Sequence, residues 1–146
     1  MELNWIADFF SYNSWANQRL FPYLDKEICE KQLPIAFDSI LGQLLHMHYY
    51  DVKTYNRILE KDKFIWNEER ECSVLLASMN DLSQRWIIWF EKNACLPTSK
   101  EIVSHLLSLH SHNIHHRSQI FNALCMLGLS PESLDIYLYQ KDQDKA

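Results

Sequence analysis

The stretch SILGQLLHMHYYDVKTYNRILE, from Ser39 to Glu60, decides the fold class. A stripe of mostly apolar residues advances by alternating steps of four and three, the spacing of a seam along which helices pack in a bundle. These residues are Leu41, Leu45, His48, Val52, Tyr55 and Leu59. Asp38 or Ser39 is a good N-cap for this segment. The pattern therefore predicts a long amphipathic helix that ends near Glu60.

Three further segments have helical periodicity. They run from about Leu3 to Leu24, from about Ser73 to Asn93, and from about Thr98 to Leu127. Thr98 and Glu101 form a capping box for the last of these helices, and Gly128 is placed to end it. DKEICEKQLP, between the first two helices, is expected to form a loop around Pro34.

The closing segment LSPESLDIYL predicts a short fifth helix, with Ser130 as its N-cap and Pro131 at its first position. Long helices joined by modest loops are typical of helical bundles. We therefore expect a single all-α domain over residues 1–146, an antiparallel four-helix bundle with a short C-terminal fifth helix.

Composition excludes several classes of function. The chain has only two glycines, Gly42 and Gly128, so it contains neither a P-loop nor a GxGxxG dinucleotide turn, both of which need several. The formal net charge of −5 disfavours nucleic acid as a partner, because phosphate binding needs a basic surface. No Ser-His-Asp arrangement or paired-carboxylate motif is evident.

The cellular setting is expected to be the cytoplasm. No apolar run reaches the length of about 18 residues that a membrane span needs, and the start of the sequence lacks the basic region of a signal peptide. The cysteines are scattered without a CxxC motif and are interpreted as reduced thiols rather than two disulfides. They are Cys29, Cys72, Cys95 and Cys125.

Four of the seven histidines lie in the stretch LHSHNIHHRSQI, residues 109–120. Only His112 and His116 are four residues apart, which places two imidazoles on one face of a helix. A solvated or hydrogen-bonded polar face is one interpretation. However, the pair lies on the otherwise apolar side of its helix, and buried imidazoles without partners are costly. A metal ion would satisfy them.

A third ligand has to come from another helix, and the second helix offers His46 and His48. These are about 200° apart around the helix axis, so at most one points toward the pair. The apolar stripe places His48 on the inward side. His105 is roughly 10 Å along the helix from His112, too far to complete the coordination sphere easily, which favours an open position.

Four segments together resemble the DinB family: YNSWANQRL, SILGQLLHMHYYD, HNIHHRSQI and LGLSPESLDIYLY. They occur in the family's order and cover nearly the whole chain. The resemblance implies a four-helix bundle, often a homodimer, with a metal held by three histidines. Those histidines correspond to His46, His112 and His116. The metal would be a divalent ion, and three imidazoles suit zinc, nickel and iron alike.

The chain departs from the family pattern at two positions close to the histidines. Ser118 replaces the glycine of the usual HHRGQ, and Ser111 stands where asparagine is common. Neither change removes a ligand. Asp51 is expected either to orient a ligand imidazole or to pair structurally with a neighbouring helix. His48 is expected to be a buried, hydrogen-bonded histidine, and Trp15 to pack in the core.

The resemblance implies a metal-dependent enzyme that acts on a small-molecule thiol or electrophile. We expect thiol S-transferase chemistry first and a metal-dependent hydrolase second. The alternative is a non-catalytic, stress-related metal-binding or interaction module. A homodimer is expected from the resemblance, and also because Trp86, Trp89 and Phe90 span more of their helix than one core face should need.

Overall fold

The computed structural model describes residues 3–66, 70–93 and 98–145. Four long helices account for most of them: α1 (Asn4–Leu20), α3 (Ile40–Ile58), α4 (Cys72–Asn93) and α5 (Lys100–Met126). The short helices are α2 (Lys26–Glu30) and α6 (Ile136–Asp144), and a 3-10 turn over Phe21–Tyr23 follows α1. All regular structure in the described ranges is helical, which confirms the all-α prediction. None of these helices combines the length and apolarity needed to cross a bilayer.

The long helices pack around two adjoining apolar clusters. Helix α1 contacts α4 and α5, and α3 contacts the same two neighbours. One cluster surrounds Leu44, Leu75 and Ile120, and the other surrounds Phe10 and Trp86. The packing of α3 against α5 matters most for the site, because it brings the two histidine-bearing helices side by side.

The sequence patterns located the long helices well but misplaced several ends. Helix α3 begins as expected after Ser39, whose Oγ accepts from the Gly42 amide. Gly128 lies two residues after the end of α5 and adopts a positive φ of 81°. The N-cap of α5, however, is Ser99 and not Thr98: the Ser99 hydroxyl accepts from the amide of Ile102 at 3.2 Å.

The predicted loop after α1 contains the short helix α2. Asp25 caps it by accepting a hydrogen bond from the amide of Ile28 at 2.9 Å. Helix α1 itself stops at Leu20, short of the predicted Leu24, because Pro22 follows within the 3-10 turn.

The last helix, α6, begins at Ile136 with Asp135 as its cap, so the prediction of Ser130 and Pro131 as its start is wrong. The preceding residues are held by α1 in place of a helical turn. Tyr12 donates to the carbonyl of Leu134 at 2.5 Å, and Arg19 donates to the carbonyl of Ser133 at 3.3 Å. Side chains of α1 thus satisfy carbonyls that a helix would otherwise use.

The aromatic residues of α4 pack against other side chains of the same chain. Trp86 and Phe90 are 1% and 3% exposed, and both pack on Phe10 of α1. They therefore give no support to the dimer prediction. Cys29, Cys72 and Cys125 are free thiols, the first two buried with their sulfurs 2.9 Å apart, whereas Cys95 lies outside the described residues.

Candidate metal centre

Three histidines from two helices converge at one point of the structure. His112 and His116 lie one turn apart on α5, and His46 faces them from α3. Nε2 of His46 is 3.0 Å from Nε2 of His112, and one ring nitrogen from each of the three residues lies within 4.8 Å of the others. His116 is buried, and the other two rings are half-buried. The structure thus brings together the three residues that the resemblance selects.

The spacing of these nitrogens fits a single ion after a small contraction. Imidazole nitrogens bind zinc at about 2.0–2.1 Å, so two ligands of a tetrahedral site lie roughly 3.3 Å apart. The pair formed by His46 and His112 is already close to that separation. The third nitrogen belongs to His116 and lies within 4.8 Å of the other two, so a small shift of this ring would complete the set.

Gln119 and Gln43 both hold the ring of His116. Gln119 places its Oε1 3.0 Å from Nδ1, and Gln43 is closer. The Oε1 of Gln43 lies 2.7 Å from Nδ1 of His116, and its own amide nitrogen donates to the carbonyl of Ala36 at 2.9 Å. The bond to Ala36 fixes which way the Gln43 amide points, so Nδ1–H of His116 donates to the amide oxygen. Nε2 then carries the lone pair, which is the form that a metal ligand needs.

The environment keeps His112 and His116 neutral. Burial, followed by the neighbouring His116 and His46, lowers the pKa of His112 to about 4. Burial and then His46 lower the pKa of His116 below its usual value. Both rings are therefore unprotonated at pH 7, so they carry no positive charge that would oppose the approach of a cation.

His112 has a different surrounding from His116. Its ring stacks on Tyr50, with centroids 4.0 Å apart and planes inclined by 17°. Nδ1 of His112 is buried without a hydrogen-bond partner among the described residues. Stacking therefore fixes the plane of this ring, whereas His116 is held through its nitrogen.

A loop covers the third ring. Phe37 stacks on His46 at 4.4 Å between centroids, and its backbone adopts a positive φ of 65°, as does Asp38. A Cβ on Gly42 would lie 2.3 Å from the Phe37 carbonyl oxygen. Glycine is needed there because the loop crosses the first turn of α3 at backbone contact distance.

One side of the cluster remains open. No fourth histidine, cysteine or carboxylate of the described ranges joins the group. A groove of about 280 Å³ begins at His46 and runs along α3. Its other lining residues are Tyr49, Tyr50, Lys53, Thr54, Arg57 and His105. The arrangement can hold an ion and still leave room for a small molecule beside it.

The other four histidines lie outside the cluster. His48 is buried, with its Nε2 2.8 Å from Oγ of Ser78 on α4, as expected for a structural histidine. His110 stacks on Phe9, and His115 is exposed.

The motif residues of α1 meet α5 on a different side. Buried Arg117 donates to the side-chain oxygens of Asn13 and Asn17. Asp51 accepts from Nε1 of Trp86 at 2.6 Å, so its hydrogen bond is structural and does not go to a ligand imidazole. These residues position α1 and α4 around the histidine-bearing helices.

Gln43, Phe37 and Tyr50 were not identified from the sequence. The spacing could have indicated Gln43, since it lies three residues before His46 on the same helical face. Phe37 had none, because its position depends on a left-handed loop conformation.

Searches against models of protein families, curated proteins and solved structures found no match to this chain.

Proposed function

We propose that this protein is a DinB-like metal-dependent enzyme in which His46, His112 and His116 bind one divalent ion. The observation that carries the proposal is the convergence of three imidazole nitrogens beside a groove, with no fourth protein ligand among the described residues. An open coordination position is what separates catalytic from structural sites of this kind. Thiol S-transferase chemistry comes first, and this preference rests on the family resemblance.

The proposed architecture is an antiparallel four-helix bundle. The contacts of α1 and α3 with both α4 and α5 support it, since they leave each long helix with two long neighbours. Metal sites of such bundles are built from side chains on facing helices, as α3 and α5 would do here.

A bound divalent ion would lower the pKa of a water or thiol and so supply a nucleophile at neutral pH. The chain's own contribution is to hold three imidazoles in place. Gln43 fixes the tautomer of His116, Tyr50 fixes the plane of His112, and Phe37 covers His46. Zinc, nickel and iron all suit the donor set.

A cytoplasmic location and a homodimer belong to the same proposal. The cytoplasmic location rests on the interpretation of the four scattered cysteines as reduced thiols. The dimer rests on the resemblance, and sedimentation at micromolar concentration tests it.

Metal analysis of freshly purified protein tests the proposed site. We expect about one ion per chain in the wild type and in His115→Ala, which removes an exposed imidazole next to a ligand. His46→Ala, His112→Ala and His116→Ala should each lose the ion, because two imidazoles hold it far less well than three. Retention of stoichiometric metal by all three variants would refute the site.

A thiol-consumption assay with electrophile panels tests the chemistry. The metal-loaded protein should consume a low-molecular-weight thiol in the presence of an electrophile, and His116→Ala should not. Ester or amide hydrolysis without thiol consumption would favour the hydrolase. A metal-loaded protein that is inactive in both assays would favour a non-catalytic module.

A further inference from the structure

The groove beside the histidine cluster is cationic. Lys53 and Arg57 follow Tyr50 along one face of α3, and both are exposed. Neither forms an ion pair with a carboxylate in the part of the chain that the structure describes. Among the described residues, the lining of the groove includes these two cations and no carboxylate.

The other side chains that line the groove do not neutralise the positive charges of Lys53 and Arg57. Nη1 of Arg57 lies 3.5 Å from Nε2 of His105, and the nearby Glu101 carboxylate is 3.7 Å from that same nitrogen. Glu101 is not part of the lining. Lys53 lies over the ring of Tyr49, with 5.2 Å from Nζ to the centroid, so the ring orients the ammonium group without neutralising it.

The cations lie at a defined distance from the proposed ion. With a rise of about 1.5 Å per residue, Lys53 is roughly 10 Å and Arg57 roughly 16 Å along α3 from His46. A ligand that contacts both ends of the groove is therefore elongated, with its reactive atom at the histidines and an anionic group one to two helical turns beyond Tyr50.

We propose that this groove binds the substrate's anionic tail, and that Lys53 and Arg57 select small molecules carrying a carboxylate or a phosphate remote from the reacting atom. Arginine pairs with either group through two parallel hydrogen bonds, and lysine adds a point charge. The part of this inference that concerns the reacting atom rests on the proposed function. The binding of the anionic group by the groove does not.

Cobalt-substituted protein tests the proposal with three matched thiols: 8-mercaptooctanoate, 8-mercaptooctylphosphonate and the neutral 8-mercapto-1-octanol. Thiolate binding is followed by sulfur-to-cobalt absorption. We expect at least one of the anionic thiols to bind more tightly than the alcohol. The double variant Lys53→Gln/Arg57→Gln should lose about tenfold in affinity for that anion and little for the alcohol.

Lys141→Gln is the matched control. Lys141 is an exposed lysine on α6 whose Nζ lies 5.3 Å from the ring centroid of Tyr137, the same arrangement as Lys53 and Tyr49, and its loss removes one positive charge, as Lys53→Gln alone would. It should bind all three thiols like the wild type. Raising the ionic strength should weaken the binding of the anionic thiols more than that of the alcohol. The relative affinities of carboxylate and phosphonate identify the preferred group.

Two results separate the groove from the metal site. Equal affinity of wild-type protein for all three thiols, or equal losses in the double variant and Lys141→Gln, would overturn the anion proposal and leave the metal site standing. If cobalt does not bind, the proposed function fails. Titration of metal-free protein with octanoate and octylphosphonate, followed by amide NMR, then decides the groove: shifts at residues 50–57 that the double variant lacks support it, and their absence overturns it.

Discussion

The side-chain oxygen of Gln43 lies 2.7 Å from Nδ1 of His116, and both residues are buried. The two belong to different helices, so this hydrogen bond links the packing of α3 on α5 to the tautomer of a proposed ligand. The Gln43 amide also holds the carbonyl of Ala36, at the base of the loop that covers His46. One buried side chain therefore orients the His116 ring and anchors the loop that covers His46.

Gln43→Leu should weaken metal binding by about 10- to 100-fold, the usual effect of removing a partner that orients a ligand imidazole. Gln43→Glu should retain more of the affinity, because a carboxylate still accepts from Nδ1–H of His116. Competition with a chromogenic chelator measures both variants. Equal losses in the two would show that Gln43 acts through its bond to Ala36 and not through His116.

The long helices and the histidine pair on α5 could be predicted because both depend on spacing within one segment. The choice between His46 and His48 could not be made that way. Helix α3 packs against two long helices, so opposite sides of it are covered: His48 faces Ser78 of α4, and His46 faces α5. A single apolar stripe identifies only one of those directions.

Gly42 and Gly128 offer a matched pair of alanine substitutions. Gly42→Ala drives a Cβ into the carbonyl of Phe37, so the loop has to shift. We expect a loss of about 1–3 kcal/mol in the free energy of unfolding, together with weaker metal binding. Gly128→Ala meets no atom within 4 Å but keeps a positive φ, so it should cost on the order of 1 kcal/mol.

Urea unfolding measures the stability of both glycine variants, and chelator competition measures their metal affinity. Gly128→Ala should bind metal like the wild type. If Gly42→Ala also does, the loop that carries Phe37 does not support the site.

Asp51 should make the folded state less stable as the pH rises. Burial raises its pKa to about 7, despite the opposing hydrogen bond from Trp86 and the charge of Arg117. Between the unfolded value near 3.8 and about 7, the folded state holds a proton that the unfolded chain has released. The free energy of unfolding therefore falls through this window, by up to about 1.4 kcal/mol per pH unit, and levels off above it.

Asp51→Asn keeps an oxygen that accepts from Trp86 and removes the titration. Urea unfolding at pH 5 and pH 7.5 should show the variant gaining on the wild type as the pH rises. Asp81→Asn, at an exposed carboxylate of α4, is the control and should show no such gain. A parallel response of Asp51→Asn and the wild type would contradict the raised pKa.

The cysteines should differ sharply in reactivity. Cys125 is exposed, whereas Cys29 and Cys72 are buried. Burial and then the neighbouring Cys72 thiol raise the pKa of Cys29, which suppresses the reactive thiolate. Cys125→Ser should lower the number of thiols titrated in native protein by one, and Cys29→Ser should lower it only after unfolding. Immediate reaction of Cys29 in native protein would show that α2 opens readily.

His48 and the proposed ligand histidines should respond oppositely to substitution. The ring of His48 is 1% exposed, bonds to Ser78 and packs edge-on against Trp66 at 4.7 Å. His48→Ala should therefore cost about 2–4 kcal/mol in unfolding free energy and leave about one metal ion per chain. Ser78→Ala, a milder probe that leaves α3 unchanged, should cost about 1 kcal/mol and also keep the metal.

His112→Ala should do the reverse in chelator-treated protein, with nearly unchanged stability and no metal binding on reconstitution. Loss of metal in both His48→Ala and Ser78→Ala, with retention in His46→Ala, would assign the third ligand to His48.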